Sequence, residues 1–230
     1  MTEQKAYLDL ADVDRLIAAA TNLRDQLIIR MLYYTGVRVT ELISIEIADI
    51  DFTNRCISIR HLKERSRYKC FQCQALLGKS KQFCGSCGQT IEGRIIEKMQ
   101  ETRHRRIRVD DHTLAKIEEY LEKSNREDAP RLFKLSRQSI YYIIRDAAEA
   151  TGLGGAILSI DGLKMKHHVS PHRFRDGFAV RFSKARSDLE GQRALQQHLG
   201  HKNFDTTAKY LKMTGERVSE IYDEVWGNVQ

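Results

Sequence analysis

The sequence predicts a mainly α-helical protein with a small antiparallel β-sheet, an α+β fold. Apolar residues recur at helical spacing in both ends of the chain, and two short alternating runs of β-branched residues lie between them. The 230 residues include only two prolines and no low-complexity linker. A chain of this length forms one good-sized domain with room for a small insertion.

The first third of the chain predicts three helices. Asp9 is a candidate N-cap, and Asp12 three residues later completes a weak capping box. A second helix is predicted over 23–35, and Gly36 is well placed to end it in the left-handed conformation. A third, short helix is predicted over 39–43.

Two strands are predicted in the middle of the chain. Cys56 begins an alternating run that ends at Ile59, after a turn at 51–54, and we expect this cysteine to be buried. A second alternating run over 105–109 is its expected partner. The residues between the two runs contain a cysteine cluster, so this segment is interpreted as an insertion in a hairpin.

The remainder of the chain is predicted to be helical again. The expected helices are 113–123, 137–151, 171–184, 189–198, 206–212 and 216–226. Ser170 followed by Pro171 predicts a helix start, because a capping hydroxyl precedes a proline at the first helical position. Two tyrosine pairs, 33–34 and 141–142, lie in apolar helical stretches and are expected in the core.

The charge balance favours a polyanionic partner such as nucleic acid. Lys and Arg total 38 against 31 acidic residues, a net charge of +7, and each phosphate contact releases condensed counterions. Basic residues cluster at 60–67 and 103–108. No apolar run approaches the roughly 18 residues of a membrane span, and the N-terminus lacks the basic-then-apolar order of a secretion signal. We therefore expect a cytoplasmic protein without membrane contact.

Four of the five cysteines form two closely spaced pairs. Their spacing is Cys70-x2-Cys73-x10-Cys84-x2-Cys87. Without a signal peptide, clustered cysteines indicate a metal site rather than disulfides. Four thiolates in a tetrahedral array are typical of one structural zinc ion.

Other interpretations of these cysteines are weaker. A catalytic zinc is disfavoured because four cysteines leave no open position for water or substrate, and redox chemistry is the remaining rival. Zinc would stabilise an insertion too small to fold on its own core. Whether the inserted module contacts DNA, a second subunit or nothing stays open.

Three segments combine arginine, histidine and tyrosine in a distinctive order. They are TGVRVTEL at 35–42, SPHRFR at 170–175, and HLGH at 198–201 followed by Tyr210. The order TGxRxxEL, HxxR and LGH with a tyrosine nine residues later resembles the tyrosine recombinase, or phage integrase, family. Each motif alone is common, but the three in this order are highly specific and extend from 35 to 210.

The resemblance implies a fold and a domain organisation. Residues 1–230 would form a tyrosine recombinase catalytic domain, and residues 66–100 an inserted, zinc-ribbon-like module with four cysteine ligands. Family members usually also have an N-terminal helical domain that clamps the other face of DNA. The catalytic pattern here begins within the first ten or so residues, so we expect a chain that is naturally short or trimmed.

The resemblance also implies a set of catalytic residues, carried over by position. They are Arg38, Lys63, His172, Arg175, His201 and Tyr210. The two arginines would clamp the non-bridging oxygens of a DNA phosphodiester, since guanidinium groups bind such oxygens bidentately and stay charged. Tyr210 would attack phosphorus and become a 3′-phosphotyrosyl, which conserves the bond energy so that strands rejoin without ATP. No catalytic metal or nucleotide is expected.

The remaining roles concern proton transfer. His172 is the candidate base for the tyrosine, and His201 would donate to a phosphate oxygen. Lys63 would protonate the departing 5′ oxygen, but the cysteine module interrupts its segment, so Lys98 and Arg103 compete for that role. Glu41, one turn after the first arginine, is interpreted as a support for it.

Two positions depart from the pattern of the family. Asp176 follows the second arginine where relatives often carry a basic residue or histidine. Lys212 stands where many relatives have a histidine two residues after the tyrosine. Neither position carries the core chemistry, so both bear on substrate detail more than on activity.

The expected function is site-specific recombination of double-stranded DNA by breaking and rejoining. One alternative is relaxation of DNA by a type IB topoisomerase; another is a non-catalytic, zinc-containing DNA-binding protein. We expect self-association on DNA as a dimer or tetramer through the last helix, 216–226, with Ile221, Val225 and Trp226 as its apolar anchor. In a prokaryote the protein would be associated with the nucleoid.

Overall fold

A computed structural model of the chain describes residues 7–77, 82–90, 94–124, 130–154, 168–201 and 203–212. Side chains are described within these ranges except at 61–68, 94–103, 209 and 211–212. The predicted last helix, 216–226, lies outside the described residues. No helix of the described residues is long and apolar enough to cross a membrane.

The described part of the chain is mainly helical, as predicted. The helices are α1 (Leu10–Ala19), α2 (Leu23–Tyr34), α3 (Val39–Leu42), α4 (Asp111–Ser124), α5 (Arg137–Ala150), α6 (Pro171–Ala185), α7 (Leu189–Leu199) and α8 (Asp205–Lys212). A 3-10 turn at Ile47–Asp49 follows α3. These helices lie within one or two residues of the predicted positions.

Local signals explain several helix ends, and one of them fails. The capping box between Asp9 and Asp12 is present, and Gly36 after α2 has a φ of 61°. Ser170 occupies the N-cap of α6 with Pro171 in the first turn, but its hydroxyl makes no capping hydrogen bond. Its main-chain carbonyl instead accepts from the N–H of Arg173 at 2.8 Å, so the capping role predicted for this hydroxyl is wrong.

The small sheet has four strands, β1 (Ile50–Asp51), β2 (Cys56–Cys70), β3 (Leu76–Leu77) and β4 (Arg94–Arg108). Strand β2 pairs antiparallel with β1, with Ile50 opposite Ile57, and antiparallel with β3, with Lys69 opposite Leu76. Strand β4 also pairs with β2. The two predicted runs are thus partners, although both strands are longer than the runs themselves. Cys56 is buried, as predicted.

The chain divides into two units. The helical unit contains Met1–Ile59 and Arg105–Gln230, and the cysteine unit contains Arg60–His104. Buried apolar side chains from α1, α2, α4, α5 and the sheet form the core of the helical unit, and Ile28, Ile107 and Phe133 in it are each 0% exposed. In this core α2 contacts α1, α4 and α6, which puts the loop after α2 beside the start of α6.

Candidate active site and candidate metal centre

Arg175 brings the three sequence motifs together. It lies on the buried face of α6 and is 1% exposed. Its Nη1 donates to the carbonyl of Gly36 at 2.6 Å, and its Nη2 donates to the carbonyl of Leu199 at 2.6 Å. Nη2 also lies 3.1 Å from Nε2 of His201. One guanidinium therefore contacts the loop after α2 and the LGH segment after α7.

Burial changes the acidity of this guanidinium without discharging it. Loss of solvent, together with the nearby charge of Arg38, lowers the pKa of Arg175 to about 10. The group remains a cation at neutral pH. A cation held by main-chain carbonyls is a fixed source of positive charge, the requirement for binding a phosphate.

A buried carboxylate holds the first predicted arginine. Glu41 is 5% exposed, and its Oε1 accepts from Nη1 of Arg38 at 3.0 Å. The main-chain N–H of Arg38 donates to Oε2 at 2.8 Å. The prediction that Glu41 supports Arg38 is confirmed.

Arg105, which sequence reasoning did not select, shares the same carboxylate. Its two terminal nitrogens donate to Oε1 and Oε2 of Glu41 at 2.9 and 2.8 Å, and its Nε donates to the carbonyl of His198 at 2.8 Å. Burial alone would raise the pKa of Glu41, but the hydrogen bonds and charge of Arg105, with those of Arg38, lower it to about 2. The carboxylate is therefore ionised at neutral pH.

A signal for Arg105 was present in the sequence. In a strand, residues two apart face the same side, so Arg105 shares a face with Ile107 and Val109, which are 0% and 2% exposed. An arginine on the inward face of a strand needs a buried partner. The residues of the basic cluster 103–108 therefore differ in orientation, because Arg105 faces the interior whereas Arg106 is 61% exposed.

Three of the predicted catalytic residues line one pocket. Arg38, His172 and Arg175 all border an open pocket of about 220 Å³. Two side chains of α5, Arg137 and Tyr141, complete its wall together with Val39, Thr40 and Pro171. With three arginines and a histidine at its edge, the pocket suits an anion.

The tyrosine pair of α5 is not in the core. Tyr141 is 39% exposed and Tyr142 is 46% exposed, so the prediction that this pair is buried is wrong, whereas Tyr33 is buried at 3%. The guanidinium groups of Arg137 and Arg145 lie 5.9 and 4.9 Å from the rings of Tyr141 and Tyr142. Helix α5 instead buries the face that carries Ile140 and Ile144. The apolar character of the sequence around a tyrosine therefore did not show whether its side chain faces the core.

His201 bridges Arg175 and the last described helix. Its Nδ1 lies 2.9 Å from Oγ1 of Thr207, and its Nε2 faces Nη2 of Arg175. A guanidinium only donates hydrogen bonds, so Nε2 is the acceptor and the imidazole proton lies on Nδ1. The ring also stacks on that of Tyr210, with centroids 6.4 Å apart.

Tyr210 lies close to this cluster but is not among the residues that line the pocket. It is 1% exposed, and its hydroxyl donates to Oδ1 of Asp176 at 2.8 Å. Burial and the negative charge of Asp176 raise the pKa of Tyr210 above the ordinary value for tyrosine. The phenol is therefore protonated in this arrangement.

Asp176 is surrounded by groups from its own helix. Its side chain is 1% exposed, its Oδ2 lies 3.1 Å from Nη1 of Arg173, and its Oδ1 lies 3.8 Å from Nε2 of His172. His172 itself is 56% exposed. The oxygen that accepts the hydrogen bond from Tyr210 is thus also the one that lies 3.8 Å from Nε2 of His172.

The remaining predicted catalytic residue is Lys63. Lys63 lies in β2, and its competitors Lys98 and Arg103 lie in β4. The side chains of all three fall outside the described residues. The assignment of Lys63 stays a prediction.

The four clustered cysteines bring their sulfurs together. All four Sγ atoms lie within 4.8 Å of one another, with 3.6 Å between Cys70 and Cys87 and 3.5 Å between Cys73 and Cys84. Sulfurs about 2.3 Å from a zinc ion are about 3.8 Å apart in a regular tetrahedron. The donor set and its dimensions therefore fit a structural zinc ion.

The two Cys-x-x-Cys turns repeat one backbone pattern. The amide of Gln74 donates to the carbonyl of Cys70 at 3.0 Å, and the amide of Gly88 donates to that of Cys84 at 2.8 Å. Both donors adopt the left-handed conformation, with φ of 59° and 72°. Backbone amides of Ser86 and Cys87 lower the pKa of Cys84 to about 6, whereas hydrogen bonds with the neighbouring sulfurs raise the pKa values of Cys73 and Cys87.

The chain belongs to the phage integrase family, whose family model matches residues 6–217. Among curated relatives, tyrosine recombinase XerA of Pyrococcus horikoshii is 26% identical over 222 residues, covering 93% of this chain and 59% of the relative. Tyrosine recombinase XerC of Staphylococcus haemolyticus is 26% identical over 202 residues, covering 87% and 52%. The chain thus spans a little over half the length of these relatives.

Solved structures share the fold. A crystal structure of XerA recombinase matches with a TM-score of 0.63 and 22% identity, covering 98% of this chain and 67% of that one. XerH recombinase in a post-cleavage complex with its difH substrate matches with a TM-score of 0.59 and 17% identity, covering 96% and 53%. The helical and small-sheet architecture is therefore that of the recombinase structures.

Proposed function

We propose that this chain is the catalytic part of a site-specific DNA recombinase that cleaves and rejoins double-stranded DNA through Tyr210. The observation that carries the proposal is the pocket bordered by Arg38, His172 and Arg175. These residues come from two motifs far apart in the sequence, and Arg175 also contacts the third. Residues 1–230 would form the catalytic domain, and 66–100 its inserted module.

The pocket supplies the charge that phosphoryl transfer needs. The non-bridging oxygens of a phosphodiester gain negative charge as it is attacked, and fixed cations stabilise that charge in the transition state. Arg38 and Arg175 are held in place before substrate binds, by Glu41 and by main-chain carbonyls. This preorganisation supports a catalytic role, because little rearrangement of the cations is required.

The proposed reaction exchanges one ester for another. The phenolic oxygen of Tyr210 attacks phosphorus, its proton passes to a base, and the bond from phosphorus to the 5′ oxygen breaks. The 5′ oxygen leaves with a proton, for which Lys63 is the proposed donor. Attack by a 5′ hydroxyl on the 3′-phosphotyrosyl reverses these steps and restores the tyrosine without ATP.

The two histidines have different proposed roles. His172 is exposed at the pocket and close to Asp176, which suits the base that receives the phenolic proton. His201 would donate a hydrogen bond to a phosphate oxygen, which requires a proton on Nε2 in place of the contact that Arg175 makes there, and its contact with Thr207 orients its ring.

One structural zinc ion on Cys70, Cys73, Cys84 and Cys87 is proposed for the cysteine unit. The separations of the sulfurs support it. With four protein ligands the ion would stabilise the fold and leave no position for substrate. The catalytic steps above use only side chains of the helical unit and Lys63.

Double-stranded DNA is the proposed substrate and partner. The structural neighbours include XerH bound to difH substrate and a lambda integrase dimer bound to a core site. These complexes support DNA binding and an assembly of more than one protomer here. The C-terminal helix, 216–226, stays the proposed contact between protomers, and the cytoplasm, or the nucleoid of a prokaryote, the proposed location.

The decisive experiment traps the covalent intermediate. The chain is incubated with a pool of nicked duplexes of randomised sequence, and complexes that survive denaturation are recovered and digested. Mass spectrometry is expected to find nucleotide on Tyr210. Tyr210→Phe should give no adduct, whereas Tyr34→Phe, which removes a phenol outside the pocket, should give the wild-type yield.

Two further measurements separate the rival functions. Arg175→Lys should slow adduct formation on the order of 100-fold, the effect of losing one preorganised donor. Recombination between two copies of a recovered sequence distinguishes a recombinase from a type IB topoisomerase, which would only relax a supercoiled plasmid. Binding without any adduct, or an equal adduct yield with Tyr210→Phe, would contradict the enzyme and leave a DNA-binding protein.

A further inference from the structure

We infer that Asp176 restrains the nucleophile: its carboxylate holds the hydroxyl of Tyr210 away from the phosphate pocket, so the protein rests in a self-inhibited state. This inference rests on the proposed function, because it concerns the same tyrosine.

The geometry supports a restraint on three counts. The hydroxyl of Tyr210 donates to Oδ1 of Asp176 at 2.8 Å, and both side chains are 1% exposed. The pocket is lined by Arg38, His172 and Arg175 but not by Tyr210. The contact joins α6 to α8, so it holds the helix that carries Tyr210 against the helix that carries Arg175.

A phenol in this contact is a poor nucleophile. Its proton points at the carboxylate, and a phosphodiester near the same oxygen would be repelled by the negative charge of Asp176. Burial and that charge also raise the pKa of Tyr210. Attack therefore requires the hydroxyl to leave Asp176 before it meets phosphorus.

Two side chains of α6 lie beside the buried carboxylate. Nη1 of Arg173 lies 3.1 Å from Oδ2, and Nε2 of His172 lies 3.8 Å from Oδ1. Buried charges persist when they are paired.

The test neutralises the restraint while keeping its shape. Asp176→Asn can still accept from the phenol, but the hydrogen bond is no longer charge-assisted. Asp14→Asn is the matched control, because Asp14 is an exposed residue of α1. Since the change leaves Arg173 beside a neutral group, the double variant Arg173→Gln/Asp176→Asn is made as well, so that both charges are removed together.

The activity measurement uses a nicked duplex recovered from the randomised pool, shortened so that it binds one protomer. On this half-site Asp176→Asn is expected to form the covalent adduct on the order of 10-fold faster than wild type, the difference between a charged and a neutral hydrogen bond. On the full duplex, where protomers assemble, the two should differ less. An equal or slower rate on the half-site for both the single and the double variant would overturn the restraint.

A second measurement needs no DNA. 3-Fluorotyrosine is introduced at position 210, and its 19F resonance is followed with pH in the full chain, with the same probe at Tyr120 of the core as control. In wild type the label at 210 should ionise at higher pH than free fluorotyrosine, and in Asp176→Asn it should ionise at lower pH than in wild type. A label at 210 that titrates like free fluorotyrosine in wild type would overturn the contact itself.

The two measurements also separate the restraint from the function on which it rests. If no protein forms an adduct while the 19F titrations behave as expected, the proposed enzyme fails and the contact stands. If wild type forms the adduct but Asp176→Asn changes neither rate nor titration, the restraint fails and the enzyme stands.

Discussion

The helical unit and the cysteine unit obtain their order by different means. The helical unit buries a continuous apolar core, with Ile28 and Phe133 fully covered. In the described part of the cysteine unit, the buried apolar residues are Cys70 and Cys84, while Phe71 and Leu76 are 73% and 66% exposed. The difference indicates that apolar burial stabilises the first unit and that coordination would have to stabilise the second.

The comparison extends to the polar groups of each unit. The helical unit fixes its arginines with main-chain carbonyls and the buried Glu41, all supplied by packed helices and strands. The cysteine unit fixes its sulfurs with two short turns of the same backbone pattern. A packed scaffold can hold charges without a ligand, whereas two turns of this size would depend on the proposed ion to hold them together.

The largest expected effect is that of metal removal, which tests whether the two kinds of order are independent. We expect one zinc ion per chain in wild type and none in Cys84→Ser, with Cys56→Ser as the control that keeps the ion. Structural zinc contributes about 10–16 kcal/mol to small domains of this kind. Hydrogen exchange should therefore rise at the amides of Gln74 and Gly88 and stay slow in α2 and α6.

Exchange that rises equally in both units after chelation would show that the helical unit also depends on the ion. Elemental analysis without zinc in the wild-type protein would contradict the candidate centre altogether. Either result removes the contrast between the two units.

The next effect concerns acid and the buried carboxylate of the helical unit. The pKa of Glu41 is about 2 against an ordinary value of 4.5. The lowered pKa stabilises the fold above about pH 4.5, and the stabilisation is lost as the pH falls towards 2. A shift of this size corresponds to about 3 kcal/mol, and urea unfolding between pH 2 and 6 should lose that dependence in Glu41→Gln.

Glu119→Gln is the matched control. The hydrogen bonds and charges of Lys116 and Lys123 also lower the pKa of Glu119 to about 2, but its side chain is 32% exposed against 5% for Glu41, and ion pairs open to solvent contribute little to stability. Unfolding curves that respond as strongly to the Glu119 variant as to the Glu41 variant would show that burial is not what makes the carboxylate important.

The smallest effect compares two left-handed glycines of the helical unit. Gly36 and Gly152 have φ of 61° and 73°, so alanine strains the backbone at both. A Cβ on Gly36 would also lie 2.7 Å from Cδ1 of Phe178, whereas a Cβ on Gly152 has no described atom within 4 Å. Gly36→Ala should therefore cost about 1–3 kcal/mol more than Gly152→Ala, measured by thermal unfolding. Equal costs would contradict the clash.

Local chemistry was enough to predict most of the fold. Asp9, Gly36 and Pro171 mark helix ends by their own backbone and side-chain preferences, so these helix ends could be predicted from the sequence. At Ser170 the start of the helix was predicted, but the hydroxyl makes no capping hydrogen bond. The partner strand of the Cys56 run was also predicted, since alternation needs only the adjacent residues.

The site was predictable by residue type but not by orientation. The motifs selected Arg38, His172 and Arg175, and the pocket contains all three. The burial of Tyr210 against Asp176 and the exposure of Tyr141 depend on which face of each helix meets the core. Those outcomes follow from tertiary packing, which one sequence does not specify position by position.

The partners of Arg175 have a consequence for how this protein tolerates sequence change. Two of its hydrogen bonds end on the carbonyls of residues 36 and 199, and every amino acid carries a carbonyl. Replacement of Leu199 by another apolar residue therefore leaves the hydrogen bond to the guanidinium in place, provided that the main-chain conformation does not change. Substitutions of neighbouring side chains should therefore leave the position of Arg175 unchanged. Substitutions that move the main chain at residues 36 or 199 should displace it.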